Sequence, residues 1–266
     1  MIILKTPKFT FMKNNKIIFL SLLILGLVAC KKESEFPVDK KYWTVEDYDN
    51  VTRELKYANE DEKLPTFDDP DTKIIVEKFT DEENFRVVLD DNQLGLKHRS
   101  EIGQEFFNKW KDMITVYNAI DRTDKYIYER EYLEVYNFGL ELQIKYFKLG
   151  NDQIIERADD PNSVGVINTV NSNTETLVNN MMLYLDEINN EKAFTNVGLD
   201  LISNGIDKSF TELVNTYPNY DYSDLIVKID LMLKKTKSDN IKQSLTKLKD
   251  LIESKKIKKS DDQLTK

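Results

Sequence analysis

From Ser100 onward the apolar residues of this chain return at intervals of three and four, and no other feature restricts its fold as strongly. Ile102, Phe106, Trp110, Met113, Tyr117 and Ile120 form the first series. Such spacing puts every apolar side chain on one face of a 3.6-residue helix. A second helix is predicted from about Asp124 to Leu149, with Gly150 as its left-handed terminator. It carries two apolar stripes, one through Tyr128, Tyr132, Val135, Gly139, Leu142, Tyr146 and Leu149, the other through Leu133, Tyr136, Leu140, Ile144 and Phe147. A helix apolar on two sides must be packed on two sides, so this one is expected at the centre of the fold, with Gly139 as a point of close helix approach.

The series continues. Ile167, Val170, Thr174, Leu177, Met181, Tyr184 and Ile188 predict one face of a long helix. Leu199, Ile202, Ile206, Phe210 and Leu213 predict the next, in which Gly198 and Gly205 permit close contact or mark a break near Asn204. Ser223 and Ser238 open two more, the first using Leu225, Ile229 and Met232, the second Ile241, Leu245, Leu248 and Ile252. Upstream, Thr44 with Asp47 reads as an N-cap ahead of Tyr48, Val51 and Leu55, and Ser100 reads as the cap of the Ile102 helix.

The segment 73–96 reads as two short helices, because Thr80-Asp81-Glu82-Glu83 is a helix start; Ile74-Ile75-Val76 and Phe85 to Leu89 allow a small hairpin as the alternative. Only eight Gly and six Pro are spread over 266 residues, fewer turn residues than a sheet-rich chain of this size uses. No 34-residue helical-repeat pattern is present. The prediction is an all-α fold, an irregular multi-helix bundle occupying residues 44–254, followed by a flexible tail over 255–266.

The N-terminal region obeys a different logic. Lys13 and Lys16 precede twelve almost wholly apolar residues, Ile17 to Val28, and the chain then turns abruptly to Lys31-Lys32-Glu33-Ser34-Glu35. A charged head with a short apolar body is a secretory signal, shorter than the roughly 20 residues that span a bilayer. Leu27-Val28-Ala29-Cys30 resembles the lipobox of bacterial lipoproteins, and Cys30 is the only cysteine. The resemblance implies residues 1–29 as a cleaved signal and a diacylglycerol and an N-acyl chain on Cys30. It further implies a tether over 30–43, a stable anchor because each buried CH₂ contributes about 0.8 kcal/mol. Lys31 is not the aspartate that holds many lipoproteins in the inner membrane, so the outer membrane is expected. Lys31 to Glu35 also resembles the acid-containing tag that carries some lipoproteins to the cell surface, which tips the expected face outward from the periplasm.

Removing residues 1–29 removes Lys5, Lys8, Lys13 and Lys16 and no acid, taking the net charge from −9 to −13. So acidic a chain lacks the basic patches that nucleic acid requires. With its one cysteine acylated it forms no disulfide, so the fold rests on its core.

Chemistry-bearing residues are few. His98 is the sole histidine, which leaves no two-histidine metal motif and no base for a triad beyond His98 itself. His98 and Glu101 form an H-x-x-E pair similar to that of imelysin-like iron-uptake lipoproteins, although Leu96 stands where that family has glycine. A plain surface histidine ahead of the Ser100 cap is the alternative. Six acids between Asn59 and Asp71 suit calcium in kind, but their spacing is not that of an EF-hand loop. Carboxylates are plentiful enough for a hydrolytic pair, Glu134 and Glu141 on the central helix reading rather as an exposed stripe. Thirteen tyrosines suggest recognition surfaces, and Tyr217, Tyr220 and Tyr222 cluster in a turn where packing explains them less well than elsewhere.

The expected function is therefore an outer-membrane lipoprotein whose helical domain binds a protein partner, with no cofactor beyond the covalent lipid and no catalytic residue or metal ligand assigned. An uptake lipoprotein for a small ligand or metal, and a carboxylate hydrolase, are the alternatives. Only a thiol can take the diacylglycerol as a thioether. Cys30→Ala is expected to abolish labelling by a fatty-acid analogue and to leave an uncut precursor on a gel; acylation and cleavage at the same place would overturn the lipobox reading.

Overall fold

Trp110 has room for its indole only because residue 139 has no side chain. A computed structural model describes residues 36–57, 63–120 and 126–264, with side chains up to Lys256. In it a Cβ at Gly139 would lie 1.9 Å from Trp110 Cε2, and the indole N–H donates to the Val135 carbonyl at 2.9 Å. The two helices meeting there, α4 (Leu96–Asn118) and α5 (Glu129–Glu156), share the most extensive contact in the fold. They run antiparallel, since Tyr117 stacks edge-on with Tyr128 at one end and Gly103 meets Tyr146 at the other.

The remaining elements flank this pair. On one side lie α1 (Val45–Tyr57) against α4, α2 (Lys73–Phe79), and α3 (Glu83–Leu89) against both α4 and α5. On the other, α5 is covered by α6 (Val164–Met182) and α7 (Asn196–Gly205). A 3₁₀ helix (Tyr184–Ala193), a π-helical turn (Ile206–Phe210) and α8 (Thr211–Thr216) complete that layer. Then α9 (Ser223–Lys235) packs on the 3₁₀ helix, and α10 (Asp239–Leu264) packs on α7, the π turn and α9. The fold is all-α, without strands among the described residues, and α5 is its centre: Leu133, Val135, Leu140 and Leu142 are wholly buried.

Local capping explains four helix starts. Thr44 and Asp47 form a reciprocal capping box, Thr44 N–H donating to Asp47 Oδ2 at 2.9 Å and Asp47 N–H to Thr44 Oγ1 at 3.4 Å. Ser163 and Thr195 accept from Val166 and Val197 N–H at the starts of α6 and α7. Ser238 does the same for Ile241 ahead of α10.

Four expectations are corrected. The hairpin alternative within 73–96 is not formed; both segments are helices, and Ile75, Val76, Phe79, Phe85 and Leu89 point to the core from each. Ser100 is not a cap: α4 begins at Leu96 after the extended Gly95, and its first turn is held by Arg99 Nη1 donating to the Leu89 carbonyl at 3.2 Å. Gly150 does not end α5, which continues to Glu156 because the buried Asn151 ties that turn to Asn173 and Thr174 of α6. The long Ile167–Ile188 helix changes winding after Met182, where the tighter 3₁₀ turn buries both Tyr184 and Leu185 beside Ile188. Near the C-terminus, α10 carries the helix past Ser254 to Leu264.

The two glycines of α5 are expected to respond oppositely to the same substitution. A methyl group at 139 must displace Trp110 and its hydrogen bond, so Gly139→Ala should destabilise the chain by about 1–3 kcal/mol or more. Nothing lies within 4 Å of a Cβ at Gly150. Gly150→Ala should therefore stabilise by up to about 1 kcal/mol through helix propensity alone. Chemical denaturation of both variants against the parent chain checks the pair of signs.

Candidate functional site

Where the described domain begins, four elements leave an open groove of about 690 Å³. Its floor is apolar: Trp43 from the entering chain, Val87 and Val88 from α3, Ile102 and Phe106 from α4. Val87 is 45 % exposed although it belongs to a helix whose Phe85 and Leu89 are fully buried. The run Phe85-Arg86-Val87-Val88-Leu89 carries more apolar surface than one face of a short helix can bury, so part of it lines the groove.

The wall is rigid because one buried amide organises it. Trp43 N–H donates to Asn84 Oδ1 at 2.7 Å, and Asn84 Nδ2 donates to Tyr48 Oη at 2.9 Å and to the Lys78 carbonyl at 2.6 Å. Tyr48 Oη in turn donates to the Phe79 carbonyl at 2.7 Å. The entering chain, α1 and the end of α2 are thereby joined through a side chain that is 1 % exposed. Burial, with the nearby Asp81 carboxylate, pushes the pKa of the Tyr48 hydroxyl far above the ordinary phenol value, against the hydrogen bond from Asn84.

The rim is acidic. Glu46, Asp49 and Glu105 line it beside the single cation Lys109. Lys109 is consumed by Asp49 at 2.5 Å, which holds that carboxyl below its usual range. Glu46 and Glu105 are exposed and make no ion pair among the described residues. Uncompensated carboxylates around an apolar floor favour a cationic amphipathic ligand over a neutral or anionic one.

Glu134 and Glu141 are not the exposed stripe that their spacing predicts. Glu141 is buried against the π turn, where Ser209 Oγ donates to its Oε1 at 3.2 Å. Arg86 and Lys208 stand 3.5 and 3.8 Å from it, and both also bind Glu82, at 2.8 and 2.5 Å. The wide π winding presents neighbouring residues Lys208 and Ser209 to one carboxylate, clamping the turn to α3 and α5. Burial raises the pKa of Glu141 and of the half-buried Glu134. Gly205, just before the turn, permits the approach: a Cβ there would lie 2.3 Å from Asn137 Oδ1 and 2.4 Å from Tyr184 Oη.

The residues singled out from the sequence are scattered. His98 and Glu101 are both exposed on the first turns of α4, and Glu101 pairs with Lys97 at 3.6 Å. Tyr222 is a core residue whose hydroxyl donates to the Leu213 and Tyr217 carbonyls at 3.2 and 3.1 Å. Tyr217 is half-buried, and Tyr220 packs edge-on against Tyr222 at 5.1 Å. Burial raises the pKa of all three phenols. Leu27, Val28, Ala29 and Cys30 lie outside the described residues, as do Glu60, Asp61 and Glu62 of the acidic loop. Among the described residues no three acidic, histidine or cysteine side chains are grouped as metal ligands. The groove residues were missed because Val87, Ile102 and Glu105 belong to three separate local patterns that meet only in space.

Compared with protein-family models, with curated proteins and with solved structures, the chain matches none.

The raised pKa of Glu134 has a checkable sign. A carboxyl whose folded pKa exceeds its unfolded value binds its proton more tightly when folded, so its favourable contribution is complete below the ordinary value of 4.5 and is lost as pH rises through the folded value. Glu134→Gln mimics the protonated form. It is expected to raise the melting temperature at pH 7, with the gain shrinking to nothing below about pH 4.5. A lower melting temperature at pH 7 would show that the ionised carboxylate is stabilising instead.

Proposed function

We propose that this chain is a lipoprotein held in the outer membrane by acyl chains on Cys30, its helical domain acting as a binding module for a protein partner. The anchor rests on Leu27-Val28-Ala29-Cys30 and on the charged segment Lys31 to Glu35, which favours the cell-surface face. No helix among the described residues is long and apolar enough to cross a membrane, which suits an anchor that is covalent lipid.

The observation that carries the binding role is the groove: an apolar floor set in a rim whose Glu46 and Glu105 make no ion pair among the described residues. The partner segment that fits is an amphipathic helix with apolar residues at i, i+3, i+4 and i+7 and lysines or arginines on its flanks. Its apolar face covers Val87, Ile102 and Phe106 while its cations meet the rim.

Fluorescence anisotropy of the full chain with a labelled Leu/Lys amphipathic peptide, and with a Leu/Glu peptide of the same pattern, tests this. The Leu/Lys peptide should bind more tightly, and the Glu46→Lys/Glu105→Lys double variant should weaken it by about tenfold or more. Raising ionic strength should do the same in the parent chain. Equal binding of both peptides, or indifference to the double variant, would overturn the groove as the binding surface.

A further inference from the structure

A second cavity, separate from the groove, lies between α3, α4, α5 and α8 and measures about 470 Å³. Its floor is apolar, formed by Leu89, Leu96, Ile144 and Leu149. Its walls carry charges of both signs, and the way those charges are already paired decides what they can hold.

Two of the three cations are neutralised within the wall. Lys145 binds Asp90 at 2.6 Å and Lys148 binds Asp152 at 2.5 Å. The third, Arg99, makes no ion pair among the described residues. Its Nη1 is committed to the Leu89 carbonyl and to Asn92 Oδ1, both at 3.2 Å, while its Nε is buried without a hydrogen-bond partner. Arg99 is therefore the wall cation whose charge has no carboxylate counter-ion among the described residues, and a ligand carboxylate is the group that matches it. Among the acids of the wall, Glu212 is the one without an ion pair among the described residues, and Thr216 lies beside it as a further polar lining group.

We propose that this cavity binds a small zwitterion with an apolar side chain, a free hydrophobic amino acid or a short hydrophobic peptide. The ligand carboxylate pairs with the Arg99 guanidinium, its ammonium with Glu212, and its side chain lies on the leucine and isoleucine floor. One unpaired charge of each sign matches a ligand of zero net charge and disfavours simple anions and cations, each of which leaves one wall group uncompensated. The volume falls in the range of small-molecule sites.

The test uses the purified full chain and four probes: L-leucine, leucyl-leucine, N-acetyl-leucine, which lacks the ammonium, and leucinamide, which lacks the carboxylate. Calorimetric titration should show binding of leucine or leucyl-leucine, and whichever is tighter identifies the free amino acid or the peptide as the ligand. N-acetyl-leucine and leucinamide should each bind at least about tenfold more weakly. Glu212→Gln, an exposed position whose exchange leaves the fold intact, should weaken leucine or leucyl-leucine by a similar factor while leaving N-acetyl-leucine unchanged. Arg99→Gln should abolish binding, but because Arg99 also holds the first turn of α4, the decisive variant is Glu212→Gln. Absence of binding by either zwitterion up to about 10 mM overturns the proposal. So does N-acetyl-leucine binding as tightly as leucine, or a Glu212→Gln variant that binds as the parent does. The groove lies at a different site, so the peptide titrations there are read independently of this result.

Discussion

The seating of Trp110 over Gly139 is the contact on which the rest of this structure depends. It lets α4 and α5 approach closely enough for the indole to reach a main-chain carbonyl of its neighbour. Once these two long helices are joined, each offers its far side as a platform. Phe106 on α4 receives Tyr48 of α1, while α5 receives α6, α7 and the π turn. Both cavities inherit this arrangement, since α4 supplies part of the groove's floor, and α4 and α5 supply most of the second cavity's, with α3 contributing to each.

Polar side chains then hold what helices cannot hold for themselves. The irregular chain over 63–72 has main-chain groups with no helical partners, and they are met from the core. Tyr117 Oη donates to the Pro65 carbonyl at 2.9 Å, Leu64 N–H donates to Tyr128 Oη at 3.2 Å, and Glu131 accepts from Phe67 N–H and Thr66 Oγ1 at 2.7 Å each. Glu129 does the same for the start of α7, accepting from Thr195 N–H and its hydroxyl. Because an unmatched buried group costs about 1–3 kcal/mol, these bonds select one path for each connection. This explains a tyrosine-rich core in a chain whose single cysteine excludes an intramolecular disulfide: the ring supplies buried area and the hydroxyl reaches a distant backbone.

The departures from regular α-helix share a cause. At Met182–Tyr184 and at Gly205–Ile206 the chain keeps its helical course but changes winding, tighter in the first case and wider in the second. The 3₁₀ segment buries Tyr184, whose hydroxyl reaches the Leu201 carbonyl at 3.2 Å, and the π turn delivers Ser209 to Glu141. Neither change leaves a mark in the spacing of apolar residues, because Ile206, Phe210 and Leu213 fit an ordinary helix as well as the one observed. Gly205 was the one local sign, and its meaning depended on Asn137 and Tyr184, which come from other elements.

The all-α class, the central place of α5, the cap at Thr44 and the two helices over 73–89 could be read from the sequence alone. Each follows from side chains within a few positions of one another, and helix periodicity and capping are local physics. The lipobox reading at Cys30 also rests on adjacent residues, and those residues lie outside the described ones. The length of α5 beyond Gly150, the start of α4 at Leu96 and the burial of Glu141 were decided by tertiary contacts, because Asn151, Arg99 and Glu141 find their partners on other helices. The two cavities were decided there as well. Val87 meets Glu105 at one and Arg99 shares the other with Glu212, and residues so far apart in the chain become neighbours only once the core between α4 and α5 has closed.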